Sequence, residues 1–242
     1  VAGLLQPIES EVLEKRIPVT YRDPGKYWFG FSLRARVFVY APDRTGSEEL
    51  STYEDLTALK WRNRIVVRSS SNVYNQSLIA SMIAVHGGDA AELWARGLVQ
   101  NFARSPKGGD TDQIRAVAAV EADIAIVNSY YYGRLVASLK KSDKEVVKRI
   151  ALFFPNQDGR GTHVNVSGAG VTAHAKNRTE AILLLEFLAS SEGQRLFAEL
   201  NHEFPVSKDV EQSPIVFSWG PFKADQLNLA LLGEHNGDAI RL

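Results

Sequence analysis

Between residues 64 and 137 the chain alternates between short β-branched runs and helical stretches, and this alternation narrows its fold more than any other feature. Arg64-Ile65-Val66-Val67-Arg68 reads as a short buried strand, followed by a polar loop of helix-capping residues and a helix over Tyr74–Val85 that stops at Gly87-Gly88. Further helices are expected over Ala90–Phe102 and from a cap at Asp110-Thr111-Asp112 to Val120. Asp123-Ile124-Ala125-Ile126-Val127 is a second strand, which runs through Asn128 and Ser129 into Tyr130-Tyr131-Tyr132 and another helix. Strands separated by helices of roughly 10–15 residues predict βαβ units and a mainly parallel sheet.

The flanks fit an α/β chain. Val1–Arg16 reads as a helix tail and a short helical turn, with Gly3–Pro7 as the stop. Arg34–Tyr40 is aromatic and β-branched, so it is expected to be a strand. Ser51-Thr52-Tyr53-Glu54 has the pattern of a capping box opening a helix through Leu59. Leu152–Pro155 and His163–Ser167 read as strands, and Thr179–Ala189, Glu192–Asn201 and Ala224–Leu232 as helices.

Composition removes whole classes of function. Lys plus Arg and Asp plus Glu number 28 each, so no basic excess points to nucleic acid or an anionic membrane. With no cysteine, disulfides, thiolate catalysis, Cys-bound zinc and iron–sulfur clusters are excluded. No apolar run approaches the ~18 residues that mark a membrane span. Met82 is the only methionine, so Val1 is not an ordinary translation start, and the expectation is a chain processed or cropped at its front.

Tyrosine is the candidate for chemistry. Tyr74 and the Tyr130-Tyr131-Tyr132 run each sit where a strand gives way to a helix. In open α/β sheets ligands collect at such corners. Phenol ionises near pH 10, but a highly charged cation favours phenolate, a hard anionic oxygen suited to a hard ion such as ferric iron. Three phenolates would match a trivalent charge. Packing is the competing reading for any aromatic cluster. Arg34 and Arg36 lie two apart on a strand and so share a face; one could hold an anion through a bidentate contact, or both could sit on a solvated, salt-bridged face. The five histidines are scattered with no i,i+4 pair. Gly168-Ala169-Gly170 lacks the rest of a dinucleotide fingerprint, and Ser69-Ser70-Ser71 has no base beside it in sequence.

Several longer stretches resemble the periplasmic ferric-ion-binding proteins of iron ABC importers. They are Arg68–Ser77, Gly108–Val117, Asp123–Tyr131, Phe154–Gln157 and Gly161–Gly170, in that order, and the resemblance runs over nearly the whole chain. It implies a non-enzymatic solute-binding protein of two-lobed α/β, Venus-flytrap fold, with crossing hinge strands and an incomplete first lobe. Lobe one would comprise residues 1–35 and 160–208, and lobe two residues 36–159 and 209–242, with crossings near Leu33–Val37, Gln157–Gly161 and Ser207–Glu211. It further implies that Tyr74, Tyr130 and Tyr131 bind Fe(3+) in an interlobe cleft, that Arg36 binds an anion or stands behind the ligands, and that Tyr132 packs. Carbonate or another synergistic anion would complete the site. The protein would be a periplasmic monomer, or membrane-tethered and extracellular in Gram-positive or cyanobacterial relatives, and would deliver iron to an inner-membrane ABC permease. The alternatives are a related solute-binding protein for an organic or inorganic anion, and an α/β enzyme using Ser or His.

Overall fold

The computed structural model describes residues 3–207 and 209–242. Its strands are β1 Leu5–Gln6, β2 Phe29–Tyr40, β3 Ile65–Val66, β4 Ile124–Asn128, β5 Ala151–Phe153, β6 Val164–Ala169, β7 Val171–Thr172 and β8 Phe204–Pro205. Its α-helices are α1 Glu11–Arg16, α2 Val73–His86, α3 Gly88–Gln100, α4 Asp110–Ala118, α5 Ser129–Ala137, α6 Lys141–Val147, α7 Arg178–Leu188, α8 Ser191–Asn201, α9 Pro214–Phe217, α10 Ala230–Glu234 and α11 Asn236–Arg241.

The chain forms two compact units. Among the described residues, one contains residues 3–34, 165–207, 209–220 and 227–230, the other residues 35–164, 221–226 and 231–242. The boundaries expected at 159/160 and 208/209 therefore lie at 164/165 and 220/221. Local bonds explain the shift. Thr162 donates its backbone N–H to Lys223, and the carbonyl of His163 accepts from the Arg36 N–H, so residues 160–164 stay with the second unit. Trp219 packs edge-on against Phe204, with ring centres 5.9 Å apart, which keeps residues before 221 in the first.

In the first unit the early half of β2 pairs with β6 and, antiparallel, with β8, where Ser32 faces Pro205. Buried Gln194 of α8 fastens this sheet: its amide donates to the carbonyl of Phe31 at 2.5 Å and its oxygen accepts from the Val206 N–H at 2.8 Å. A buried side-chain amide needs such partners, because an unmade hydrogen bond costs about 1–3 kcal/mol. Leu5 and Gln6 are strand rather than helix tail, since they pair with Thr172 and Val171.

In the second unit the strand order is β3-β4-β2-β5. All five residues of β4 are buried, and the first four, Ile124–Val127, are apolar. Each such Ile or Val contributes roughly 1.5–3 kcal/mol by leaving water. The expected parallel pairing holds for β3 and β4. The sheet as a whole is not mainly parallel, because the later half of β2 inserts beside β4 and runs antiparallel to both β4 and β5. Helix α2 is buried continuously from Ser77 to Ile83.

Two more expectations change. Glu54–Thr57 is a 3-10 turn, opened by Thr52 accepting from the Asp55 N–H at 3.0 Å. Tyr53 and Leu56 are both buried three residues apart, and a 3-10 turn places such a pair on one side. The helix expected from Ala224 begins only at Ala230: Asp225 is drawn into a bond with the Thr162 carbonyl, and the Asn228 side chain accepts from the Ala230 N–H.

Candidate metal centre

Both tyrosine corners belong to the second unit, at the adjoining ends of paired strands β3 and β4. At the first, Asn72 caps α2 and its side chain accepts from the Tyr74 N–H at 3.0 Å, which fixes the backbone that carries the phenol. At the second, β4 ends at Asn128 and α5 starts at once, so Tyr130 and Tyr131 fall in the first helical turn.

The corners converge. The Tyr130 hydroxyl donates to the Tyr74 hydroxyl at 3.0 Å. The Tyr130 and Tyr131 rings lie 4.4 Å apart. Burial holds the Tyr130 phenol well above its ordinary pKa, and hydrogen bonds with Tyr131 and then Tyr74 push it the same way. The Tyr130 and Tyr74 hydroxyls thus meet, with the Tyr131 ring packed alongside. An oxygen gap of 3.0 Å is close to the edge of an octahedron around a hard cation, roughly 2.9 Å for bonds of about 2.0–2.1 Å. Tyr132 is elsewhere: burial, then nearby Tyr40, raises its phenol.

Cations line the ring faces. The Arg68 guanidinium lies 5.0 Å from the Tyr74 ring centre, and that of Arg134 lies 4.9 Å from Tyr130 and 5.6 Å from Tyr131. Such contacts attract a π face and attract it more once the ring is anionic.

Arg36 is 2% exposed and spends its guanidinium on the protein. One terminal nitrogen donates to Asp110 at 2.7 Å and to the Asn128 side-chain oxygen at 3.2 Å, and the other donates to Asn75 at 2.5 Å. Arg34 does not share this setting. It donates to Ser167 at 2.7 Å within the first unit.

The residues behind the tyrosines were not singled out by sequence reasoning. Asp110 read as a helix cap, yet Asp112 does that work, accepting the Gly109 N–H at 2.7 Å, and Asp110 is fully buried. Asn75, Asn128 and Arg134 gave no local signal beyond lying within two residues of a tyrosine. Among the described residues no group of three His, Asp or Glu side chains is placed to hold a metal, so the tyrosine cluster is the candidate. No helix among them is long and apolar enough to cross a membrane.

Comparison with known proteins places this arrangement in context. Iron uptake protein A2 of Synechocystis is 53% identical over 243 residues, covering 100% of this chain and 70% of its own length. A Trichodesmium FutA structure in complex with iron and citrate matches with a TM-score of 0.97 and 52% identity, over 99% of this chain and 76% of that one. The ferric binding protein from Campylobacter jejuni matches with a TM-score of 0.93 and 41% identity, over 99% and 76%. The fold is accordingly the two-lobed α/β fold of solute-binding proteins. The family profile described as bacterial extracellular solute-binding protein matches residues 2–224, and the chain belongs to that family.

Proposed function

We propose that this protein captures ferric iron outside the cytoplasmic membrane, as a monomer, and hands it to an ABC permease. The observation that carries the reading is the convergence of Tyr74, Tyr130 and Tyr131 hydroxyls from two corners. The Tyr130 proton is already spent on the Tyr74 oxygen. Deprotonated, the three phenols supply three hard negative oxygens, which suits a trivalent cation. The remaining positions would be filled by carbonate, citrate or another oxygen donor. The iron-and-citrate complex of the Trichodesmium relative supports that chemistry.

In this reading Arg36 works from behind the ligands, because both of its terminal nitrogens are held by Asp110, Asn75 and Asn128. The ring-facing Arg68 and Arg134 help to stabilise phenolate. The permease and the location outside the membrane are supported by membership of an extracellular solute-binding family.

The test is a titration of the purified protein with ferric citrate, followed by visible absorption. A phenolate–ferric charge-transfer band is expected at one equivalent of iron, and Tyr130→Phe together with Tyr131→Phe should abolish it. Citrate binding without iron, unaffected by these changes, would instead support an anion carrier.

A further inference from the structure

Asp110 is fully buried, and its carboxylate is shared among donors from three parts of the second unit. One oxygen accepts from Arg36 at 2.7 Å and from the Asn128 backbone N–H at 2.7 Å. The other accepts from Arg68 at 3.2 Å. Each partner leads to a tyrosine corner. Asn128 ends β4, two residues before Tyr130. Arg68 lies over the Tyr74 ring, and its carbonyl accepts from the side chain of Asn75 at 2.7 Å. Arg36 closes the circuit by donating to that same Asn75.

Helix capping does not explain this residue, because Asp112 caps α4. Net stability is a poor explanation too. Desolvating a buried ion pair offsets most of its attraction, and the best-attested use of such a pair is to fix register. Here the register in question is that of the two corners, which no strand ladder connects beyond Val66 and Ala125.

We propose that Asp110 is a positioning residue for the tyrosine centre: it clamps the two corners together and so sets the spacing of Tyr74 from Tyr130 and Tyr131. This rests on the ferric-iron reading given above and deepens it. Groups that orient metal ligands without touching the metal are commonly worth 10- to 100-fold in affinity.

Asp123 provides the control. It too is a carboxylate held by two arginines, Arg44 at 2.7 Å and Arg64 at 2.6 Å, but it stands at the opposite end of β4. Full-length wild type, Asp110→Asn, Asp123→Asn and Tyr130→Phe are titrated with ferric citrate against a competing chelator, and their melting temperatures are measured. Asp110→Asn should weaken iron binding by about 10- to 100-fold and alter the phenolate–ferric band. Asp123→Asn should lower the melting temperature yet keep the affinity within about twofold, as expected for a distant site. Wild-type affinity and band in Asp110→Asn, or an equal loss in Asp123→Asn, would overturn the proposal. Should Asp110→Asn fail to fold, Arg68→Gln removes one arm of the clamp at its more exposed end, and unchanged affinity there overturns it equally. If wild type itself shows no ferric band, the iron reading fails and takes this proposal with it. If wild type and Tyr130→Phe behave as expected while Asp110→Asn is silent, only the clamp is refuted.

Discussion

The hydroxyl of Tyr130 donates to that of Tyr74 at 3.0 Å, although the two residues are 56 positions apart. As the donor, Tyr130 is a neutral phenol in this contact. Two phenolates at that distance would repel strongly unless a cation lay against both. On the proposed reading, loading would exchange such phenolic protons for metal.

Removing one of these oxygens should be more damaging than removing a residue behind them. Tyr74→Phe or Tyr130→Phe is expected to cost more iron affinity than the ~10- to 100-fold typical of supporting groups, with loss of the visible band. Competition with a chelator measures the first and absorption the second. Retained band intensity in both variants would remove these residues from the ligand set.

Acid should empty the site. The Tyr130 phenol is held above its ordinary pKa by burial and then by its tyrosine neighbours, so it is protonated in the empty protein at any pH near neutral. Each proton released on loading strengthens binding by about tenfold per pH unit as pH rises, and weakens it equally as pH falls. Chelator competition between about pH 6 and pH 8 gives the slope, which Tyr130→Phe should reduce by about one proton.

Glu54 predicts a pH dependence of stability that is separate from iron. Burial alone would raise its carboxyl, but hydrogen bonds from Asn156 at 2.8 Å and His86 at 2.9 Å, with the charge of Arg160 nearby, hold it below its ordinary 4.5. A lowered folded pKa stabilises the fold above the unfolded value, and that contribution disappears as pH falls through the folded value. Glu54→Gln should therefore melt below wild type at neutral pH, with the gap closing as pH falls below the ordinary carboxylate range. A gap that widens in acid would contradict the assignment.

Tyr53 is the test of the second unit's interior. Its buried hydroxyl donates to the Arg36 carbonyl at 2.5 Å and accepts from the His163 N–H at 3.1 Å. Tyr53→Phe leaves both backbone groups short of a partner, at a cost of about 1–3 kcal/mol. Urea unfolding measures it, and an unchanged midpoint would show that the site relaxes around the loss.

Much of this protein was legible locally. Ile65–Val66 and Ile124–Asn128 announce themselves by β-branched runs, and α2, α3, α7 and α8 by length, caps and stops. What failed was whatever depended on distant partners. Leu5–Gln6 is strand because Val171–Thr172 lies beside it, and residues 224–229 are not helix because Thr162 claims Ala224 and Asp225. No local period encodes such competition. Asp110 is the sharpest case at the site: Gly109-Asp110-Thr111-Asp112 offers two acids to one helix start, and only burial separates the cap from the clamp.

The sequence by itself determined that strands end in tyrosine-bearing helix starts and that no thiolate is available. Those properties are set within a few residues of chain. The tertiary structure decided that Tyr74 and Tyr130 meet, that the terminal nitrogens of Arg36 are held by Asp110, Asn128 and Asn75, and that β2 runs against its neighbours. These depend on which strands pair and in what register, an outcome of summed long-range burial that no single segment records.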